Sequence, residues 1–188
     1  MSDKQALPLP PGLLCDERPH SYYPTSTIDG SNAMNALDFD DTELDALLRL
    51  NRLRAEPASD TPQALEDHFA QRYQADRRFA VYGTLAPGKP NHHHLSGLDG
   101  AWTQGHFVTG RLEQSGWGAD MGYPALRWSE SGEAIEVQLF ASDDLPLHWP
   151  RLDAFEGDEY LRILVPVHAP DGSVTVANVY AARPDRQA

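Results

Sequence analysis

Leucines in the first regularly patterned segment of the chain recur at a helical spacing. They give residues 41–56 a mostly one-sided apolar stripe, and either Asp41 or Thr42 can cap the first turn. A second amphipathic helix is predicted from Pro62, with Thr61 as its N-cap. Its apolar residues are spaced four apart along one face and are Leu65, Phe69 and Tyr73. We expect the two helices to pack either on the rest of the protein or on a partner.

Beyond Arg78 the apolar pattern changes to short runs that are typical of β-strands. Glycine and proline separate these runs, which favours turns between them. The strand candidates are residues 79–85, 106–113, 125–128, 135–140, 160–167 and 174–180. One helix is predicted at 147–155, and residues 91–95 can form a single helical turn. The pattern predicts an α+β fold: a small closed or nearly closed β-barrel with helices on its flank.

The first 40 residues show little apolar periodicity and contain several proline- and serine-bearing stretches. Such a segment buries too little apolar surface to offset the entropy lost on ordering. We therefore expect a largely disordered extension over residues 1–40, two short helices over 41–78, one barrel domain over 79–182 and a tail over 183–188. A chain of 188 residues suits one core rather than two.

Charge and composition narrow the possible partners. The formal net charge of −13 would repel polyanions, so nucleic acid is not an expected partner. Basic residues of the two helices, Arg54 among them, interleave with acidic ones, which predicts a solvated face rather than an anion site. No apolar run approaches the roughly 20 residues that span a bilayer, so no membrane segment is expected.

Cysteine use and the N-terminus bear on the cellular compartment. The single cysteine cannot form an internal disulfide, and the N-terminus lacks the basic start and apolar core of a secretory signal. Together these features predict a cytoplasmic protein. The sequence does not indicate an oligomeric state.

Two segments contain residues that are suited to chemistry. The first predicted strand runs into Tyr82-Gly83-Thr84-Leu85, a turn whose main-chain N–H groups can point into one concavity and bind a polar or anionic group. The second segment ends the predicted helix at Glu156. Each feature is common when taken alone, because many strands end in a glycine turn and most glutamates at helix ends are exposed.

Taken in order along the chain, these segments resemble the γ-glutamyl cyclotransferase-like (AIG2-like) superfamily. FAVYGTLAPGKPNHHHL is similar to its opening signature, and the match at Asn91 and His92 resembles the branch that includes γ-glutamylamine cyclotransferases. LDAFEG, followed by Tyr160 and Arg162, is similar to the helix-end motif that carries the catalytic glutamate. GYPA at residues 122–125 resembles a third family element. The resemblance covers the predicted barrel domain.

This resemblance implies a mixed β-barrel with flanking helices and an enzyme that uses no cofactor. In such an enzyme the free α-amine of a small γ-glutamyl substrate attacks its own δ-carbonyl, which releases the amine substituent and leaves 5-oxoproline. Glu156 would be the acid/base that moves the protons. The substrate-binding residues that the resemblance implies are Tyr82, Gly83, Thr84, Leu85, Asn91, His92 and Tyr160, the first four through main-chain groups.

The roles of the flanking residues stay open at this stage. Asn91 or the imidazole of His92 would brace the turn at residues 82–85. Tyr160 and Arg162 would order the glutamate or the substrate, or pack as ordinary cross-strand neighbours.

A single carboxylate can serve both proton transfers if its pKa lies near neutrality. Burial beside Phe155 would raise the pKa of Glu156, but its negative neighbours Asp153, Asp158 and Glu159 would act in the same direction. The sequence leaves both causes open.

Several alternatives compete with a γ-glutamyl cyclotransferase. The consecutive histidines at 92–94 point in divergent directions and have no cysteine nearby, so no metal site is expected. The residues FAV before Tyr82 depart from those of glutathione-specific relatives, which favours a γ-glutamyl amine or a related conjugate. A non-catalytic module that senses an amino-acid-like ligand and an interaction protein that uses the N-terminal helices remain as other readings.

Overall fold

The computed structural model describes residues 39–56, 63–114 and 124–183 of the chain. The predicted extension up to residue 38 lies outside the described residues, and so do the predicted helix start at Thr61 and Pro62 and the first half of the GYPA motif. None of the helices in the described part of the chain is long and apolar enough to cross a membrane.

Two helices, α1 (Asp41–Ala55) and α2 (Gln63–Tyr73), precede the barrel. The predicted cap of α1 at Asp41 or Thr42 is wrong. The carboxylate of Asp40 accepts a hydrogen bond from the N–H of Glu43 at 3.0 Å, because an N-cap side chain reaches the third residue after it.

The apolar faces of both helices pack on the barrel, as one of the two sequence-based alternatives proposed. Leu47 and Leu50 of α1 and Phe69 of α2 form one buried cluster with Leu164 and Val176 of the sheet. Burial of such side chains contributes about 1.5–3 kcal/mol each, so the helices are an integral part of the described fold.

Six strands form one mixed sheet. They are β1 (Arg78–Val81), β2 (Ala101–Glu113), β3 (Ala125–Trp128), β4 (Glu133–Ala141), β5 (Tyr160–His168) and β6 (Val174–Ala182). Their order is β3-β2-β4-β1-β6-β5, and a further pairing of β5 with β2 closes five of them into a barrel. The β1–β6 pairing is parallel and the others are antiparallel. The predicted mixed barrel with flanking helices is confirmed.

A third helix, α3 (Leu145–Glu156), lies against β1. Side chains of β1 alternate, so Phe79 faces α3 while Ala80 faces the barrel interior. The ring of Trp149 contacts that of Phe79 at 5.5 Å between centroids, and its indole N–H donates to the carbonyl of Asp76 at 2.7 Å. These contacts fix the helix whose last residue is Glu156.

Most boundaries differ from the sequence prediction by one or two residues, and two strand boundaries differ by more. The strand predicted over 79–85 ends at Val81, since the chain turns at residues 82–85. β2 begins at Ala101 rather than at residue 106, and its pairing with β4 shifts register between Thr103 and His106. Gly105 has φ +80°, the left-handed backbone of a β-bulge, which interrupts the alternation of apolar and polar residues along the strand.

Candidate active site

The turn that follows β1 is held in place by the residues predicted to brace it. The N–H of Ala86 donates to the carbonyl of Gly83 at 3.2 Å and closes the turn. The N–H of Asn91 donates to the carbonyl of Thr84 at 3.0 Å. The ring of His92 donates from Nδ1 to the carbonyl of Leu85, also at 3.0 Å. Both braces therefore act on main-chain oxygens of the loop at residues 82–85, called the 82–85 loop below.

This loop lines a small cavity that is partly open to solvent. The cavity is also lined by β1 and by four side chains from other parts of the chain, namely Pro124, Glu156, Tyr160 and Tyr180. The structure thus brings together six of the predicted site residues, which are Tyr82, Gly83, Thr84, Leu85, Glu156 and Tyr160. Asn91 and His92 do not line the cavity and lie behind the loop that they brace.

Glu156 is the buried acid of the cavity. Glu156 is the last residue of α3 and is only 8% exposed. Gly157, with φ +73°, ends the helix there, and its N–H donates to the carbonyl of Asp153 at 3.0 Å. Burial raises the pKa of Glu156 to about 7 from the ordinary 4.5. The negative end of the α3 dipole acts in the same direction.

The sequence left two causes open for a raised pKa of Glu156, namely burial and negative neighbours. The structure supports burial. The negative charge of Asp153, three residues earlier on α3, is compensated by Arg162. The guanidinium of Arg162 donates from Nε and Nη2 to the two carboxylate oxygens of Asp153 at 2.8 and 3.1 Å. Arg162 therefore organises a neighbour of the glutamate rather than packing as a plain cross-strand residue.

The side chain of Tyr82 connects strands rather than presenting its hydroxyl to a ligand. The hydroxyl donates to the carbonyl of Tyr180 on β6 and accepts from the N–H of Leu126 on β3, both at 2.9 Å. Burial holds the pKa of Tyr82 well above its usual range, so the phenol stays neutral. This geometry is compatible with a main-chain role for Tyr82 in ligand binding.

Tyr180 is a cavity residue that sequence analysis missed. Its hydroxyl donates to Oδ1 of Asp153 at 2.8 Å, and burial raises the pKa of this phenol. Tyr180 lies opposite Arg162 in the β5–β6 register. No sequence signal marks Tyr180, because only the strand pairing brings it to Asp153 and to the cavity.

The neighbouring histidines have structural contacts of their own. The ring centroids of His94 and Phe155 lie 4.0 Å apart, and Nδ1 of His93 lies 3.2 Å from the carbonyl oxygen of Pro90. Within residues 39–56, 63–114 and 124–183, no group of three histidine, cysteine, aspartate or glutamate side chains could hold a metal ion.

The arrangement suits proton transfer to and from a ligand held by main-chain groups. A carboxyl with a pKa of about 7 is populated in both protonation states near neutral pH. The 82–85 loop beside it has fixed carbonyl positions, so its peptide groups are preorganised for a polar ligand.

Comparison with known proteins gives a family and a set of similar structures. The sequence model of the family described as "Gamma-glutamyl cyclotransferase, AIG2-like" matches residues 79–188. YkqA from Bacillus subtilis is 26% identical over 56% of this chain, with a TM-score of 0.44, and the matched part spans only 35% of YkqA. An AIG2-like protein from Mus musculus is 24% identical over 59% of this chain and 80% of its own, with a TM-score of 0.46. No curated protein matches the chain.

Proposed function

Because the chain belongs to the γ-glutamyl cyclotransferase, AIG2-like family, we propose that it releases 5-oxoproline from a γ-glutamyl amine or a related γ-glutamyl conjugate. One observation carries the proposal beyond the family: a buried carboxyl, Glu156, with a pKa of about 7, lies in the same cavity as the 82–85 loop. The loop would hold the γ-glutamyl head and Glu156 would move the protons.

The reaction combines one ring closure with the transfer of two protons from the attacking nitrogen to the departing nitrogen. Ionised Glu156 takes a proton from the α-ammonium group of the substrate, and the free amine attacks the δ-carbonyl carbon of the same molecule. The C–N bond to the amine substituent then breaks, and protonated Glu156 gives its proton to the departing nitrogen. The new ring nitrogen still carries one proton too many, and ionised Glu156 takes this proton and passes it to the released amine, which leaves as an ammonium ion. Atoms and charge then balance without a cofactor, and Glu156 ends in its starting state.

Positioning supplies much of the rate enhancement in this scheme. Ring closure within one molecule already avoids a bimolecular encounter, and a held near-attack conformer can lower the barrier by on the order of 7–11 kcal/mol. Main-chain groups of residues 82–85 would fix the head group, and Tyr160, which lines the same cavity, would limit its movement. General acid–base catalysis by Glu156 would add about 10²–10⁴-fold.

A substrate screen tests the proposal. Purified protein is incubated with γ-glutamyl amines, γ-glutamyl dipeptides and glutathione, and released 5-oxoproline is quantified by mass spectrometry. We expect turnover of one or more γ-glutamyl amines and little turnover of glutathione. Binding of a γ-glutamyl amine without any 5-oxoproline would replace this function by the sensing module considered from the sequence.

A further inference from the structure

Arg54 of α1 reaches from the N-terminal helices to the face of the sheet that these helices cover. Its side chain is only 12% exposed, so the solvated face predicted for it is wrong at this position. Nε and Nη2 donate to the two carboxylate oxygens of Glu66 on α2, at 2.8 and 2.5 Å. Nη1 donates to Oδ1 of Asn178 on β6 at 3.0 Å. One guanidinium thus joins both helices to the sheet.

Asn178 links Arg54 by hydrogen bonds to the side chains next to the cavity. It is 1% exposed, and its amide nitrogen donates to the carbonyl of Ala75 at 2.7 Å, which fixes the orientation of the amide. Its Oδ1 accepts a second bond, from Nη1 of Arg162 at 3.2 Å. Arg162 in turn holds Asp153 with two hydrogen bonds and lies over the ring of Trp149, 4.6 Å from its centroid.

The last member of the chain of contacts is Tyr180, which lines the candidate active-site cavity together with Glu156. Its hydroxyl shares Oδ1 of Asp153 with Arg162. A second, wider depression also includes Tyr180, and it is lined by Arg54, Glu66 and Arg162. The side chains that join Arg54 to Tyr180 therefore lie between the helices α1 and α2 and the candidate active-site cavity.

Two ion pairs line this depression together. Glu66 and Asp153 are both carboxylates in one depression, and Arg54 neutralises Glu66 there while Arg162 neutralises Asp153. Without Arg54, the partly buried Glu66 would compete for Arg162. Movement of Arg162 would free Asp153 and with it the hydroxyl of Tyr180.

Resting on the proposed function, we propose that Arg54 is a positioning residue for the reaction. It acts through Asn178, Arg162 and Asp153 to hold Tyr180 in place in the cavity that Glu156 also lines. Arg54 and Glu66 precede residue 79, where the family match begins. The α1–α2 pair would thus be an addition to the family domain that completes the active site of this chain.

The test compares two substitutions on the same helix in the full-length protein. Arg54→Met removes the guanidinium but keeps an extended apolar stem. Asn51→Ala is the matched control, because the Asn51 side chain also docks α1 on β5. Its amide donates to the carbonyl of Leu164 at 2.7 Å and accepts from the N–H of Leu164 at 2.8 Å.

The kinetic result separates positioning from docking. We expect Arg54→Met to lower kcat by about ten- to a hundredfold with little change in KM, since misplacement of a positioning group by about 1 Å can cost that much. Asn51→Ala should lose thermal stability but keep kcat within about twofold of wild type. Equal losses of kcat in the two variants would overturn the proposal, and so would an unchanged kcat in Arg54→Met.

A second variant keeps the test decisive if Arg54→Met does not fold. Arg54→Lys retains the charge opposite Glu66 but lacks the planar fork that reaches Glu66 and Asn178 together. It should still lower kcat by about fivefold or more, because a lysine makes fewer fixed hydrogen bonds than an arginine. Wild-type kcat in Arg54→Lys would then overturn the proposal.

Tyrosine NMR spectra give a reading that does not depend on turnover. The protein is labelled with ¹³C in the tyrosine rings, and the Tyr180 signal is assigned with Tyr180→Phe. We expect Arg54→Met to shift the Tyr180 signal while Asn51→Ala leaves it in place; an unmoved signal in Arg54→Met would overturn the coupling. A wild-type protein that makes no 5-oxoproline would refute the proposed function, while these spectra would still decide whether Arg54 positions Tyr180.

Discussion

Replacing Glu156 by glutamine should stabilise the protein, and the gain should depend on pH in a defined way. The carboxyl is buried and its pKa is raised from 4.5 to about 7 by loss of hydration. Glutamine keeps the shape and one acceptor oxygen of the side chain but carries no charge at any pH. The difference in unfolding free energy between the two proteins therefore reports the cost of the buried negative charge.

The sign and the window follow from the two pKa values. Well below pH 4.5 Glu156 is protonated in both the folded and the unfolded chain, and its ionisation contributes nothing to the difference. As the pH rises from 4.5 to 7 the unfolded chain releases the proton first, so the wild type loses stability relative to Glu156→Gln. Above about pH 8 both states are ionised and the difference becomes constant.

The constant difference in unfolding free energy above about pH 8 can be calculated from the same shift in the pKa of Glu156. One pKa unit corresponds to about 1.4 kcal/mol, so a rise from 4.5 to about 7 costs the wild type about 3 kcal/mol at alkaline pH. At 8% exposure the carboxyl is too deeply buried for solvent to screen much of this.

The assay is urea unfolding of wild type and Glu156→Gln at several values between pH 4.5 and 9, with the slope of the transition checked for equality. Asp158→Asn is a matched control, since it removes an acidic charge two residues away without a buried carboxyl. A Glu156→Gln gain that is the same at every pH would refute the assignment of a raised pKa to Glu156.

Three other results are expected. Gly83→Val should fold but lose ligand binding, because a Cβ at Gly83 meets nothing within 4 Å and the larger side chain would extend into the cavity. Gly97→Val is the control for calorimetric binding, since its surroundings are equally open but lie outside the cavity. Normal ligand affinity in Gly83→Val would contradict the assignment of the loop to ligand binding. Tyr82→Phe should lower the unfolding free energy by about 1–3 kcal/mol by leaving the carbonyl of Tyr180 and the N–H of Leu126 without the hydroxyl; an unchanged urea midpoint would contradict that. Activity should survive exhaustive chelation, since the proposed steps are proton transfers; loss with rescue by zinc would revive a metal role for the histidines.

Local patterns in the sequence predicted most of the fold. The strand at 125–128 was predicted with the bounds that the structure shows, and α3 was predicted to within two residues at either end. Such elements are bounded by turn residues and carry a regular apolar period. The start of β2 was missed because the bulge at Gly105 breaks that period.

Site residues that belong to a contiguous sequence motif could be predicted from the sequence. Site residues that only strand register brings together could not. The 82–85 loop and Glu156 belong to contiguous segments, and the structure brings both to one cavity. Tyr180 reaches Asp153 only through the pairing of β5 with β6. Arg54 appeared as one arginine of a mixed-charge helix, because its partners on α2 and β6 lie 12 and 124 residues away along the chain.

The central claim is that Glu156 moves the protons in a reaction that forms 5-oxoproline. The most direct measurement determines turnover and calorimetric binding of one γ-glutamyl amine on the same samples of wild type and Glu156→Gln. We predict that Glu156→Gln binds this ligand with near wild-type affinity, because the head group is proposed to be held by the 82–85 loop, while 5-oxoproline formation falls by at least about a hundredfold. Turnover of Glu156→Gln at the wild-type rate would contradict the account.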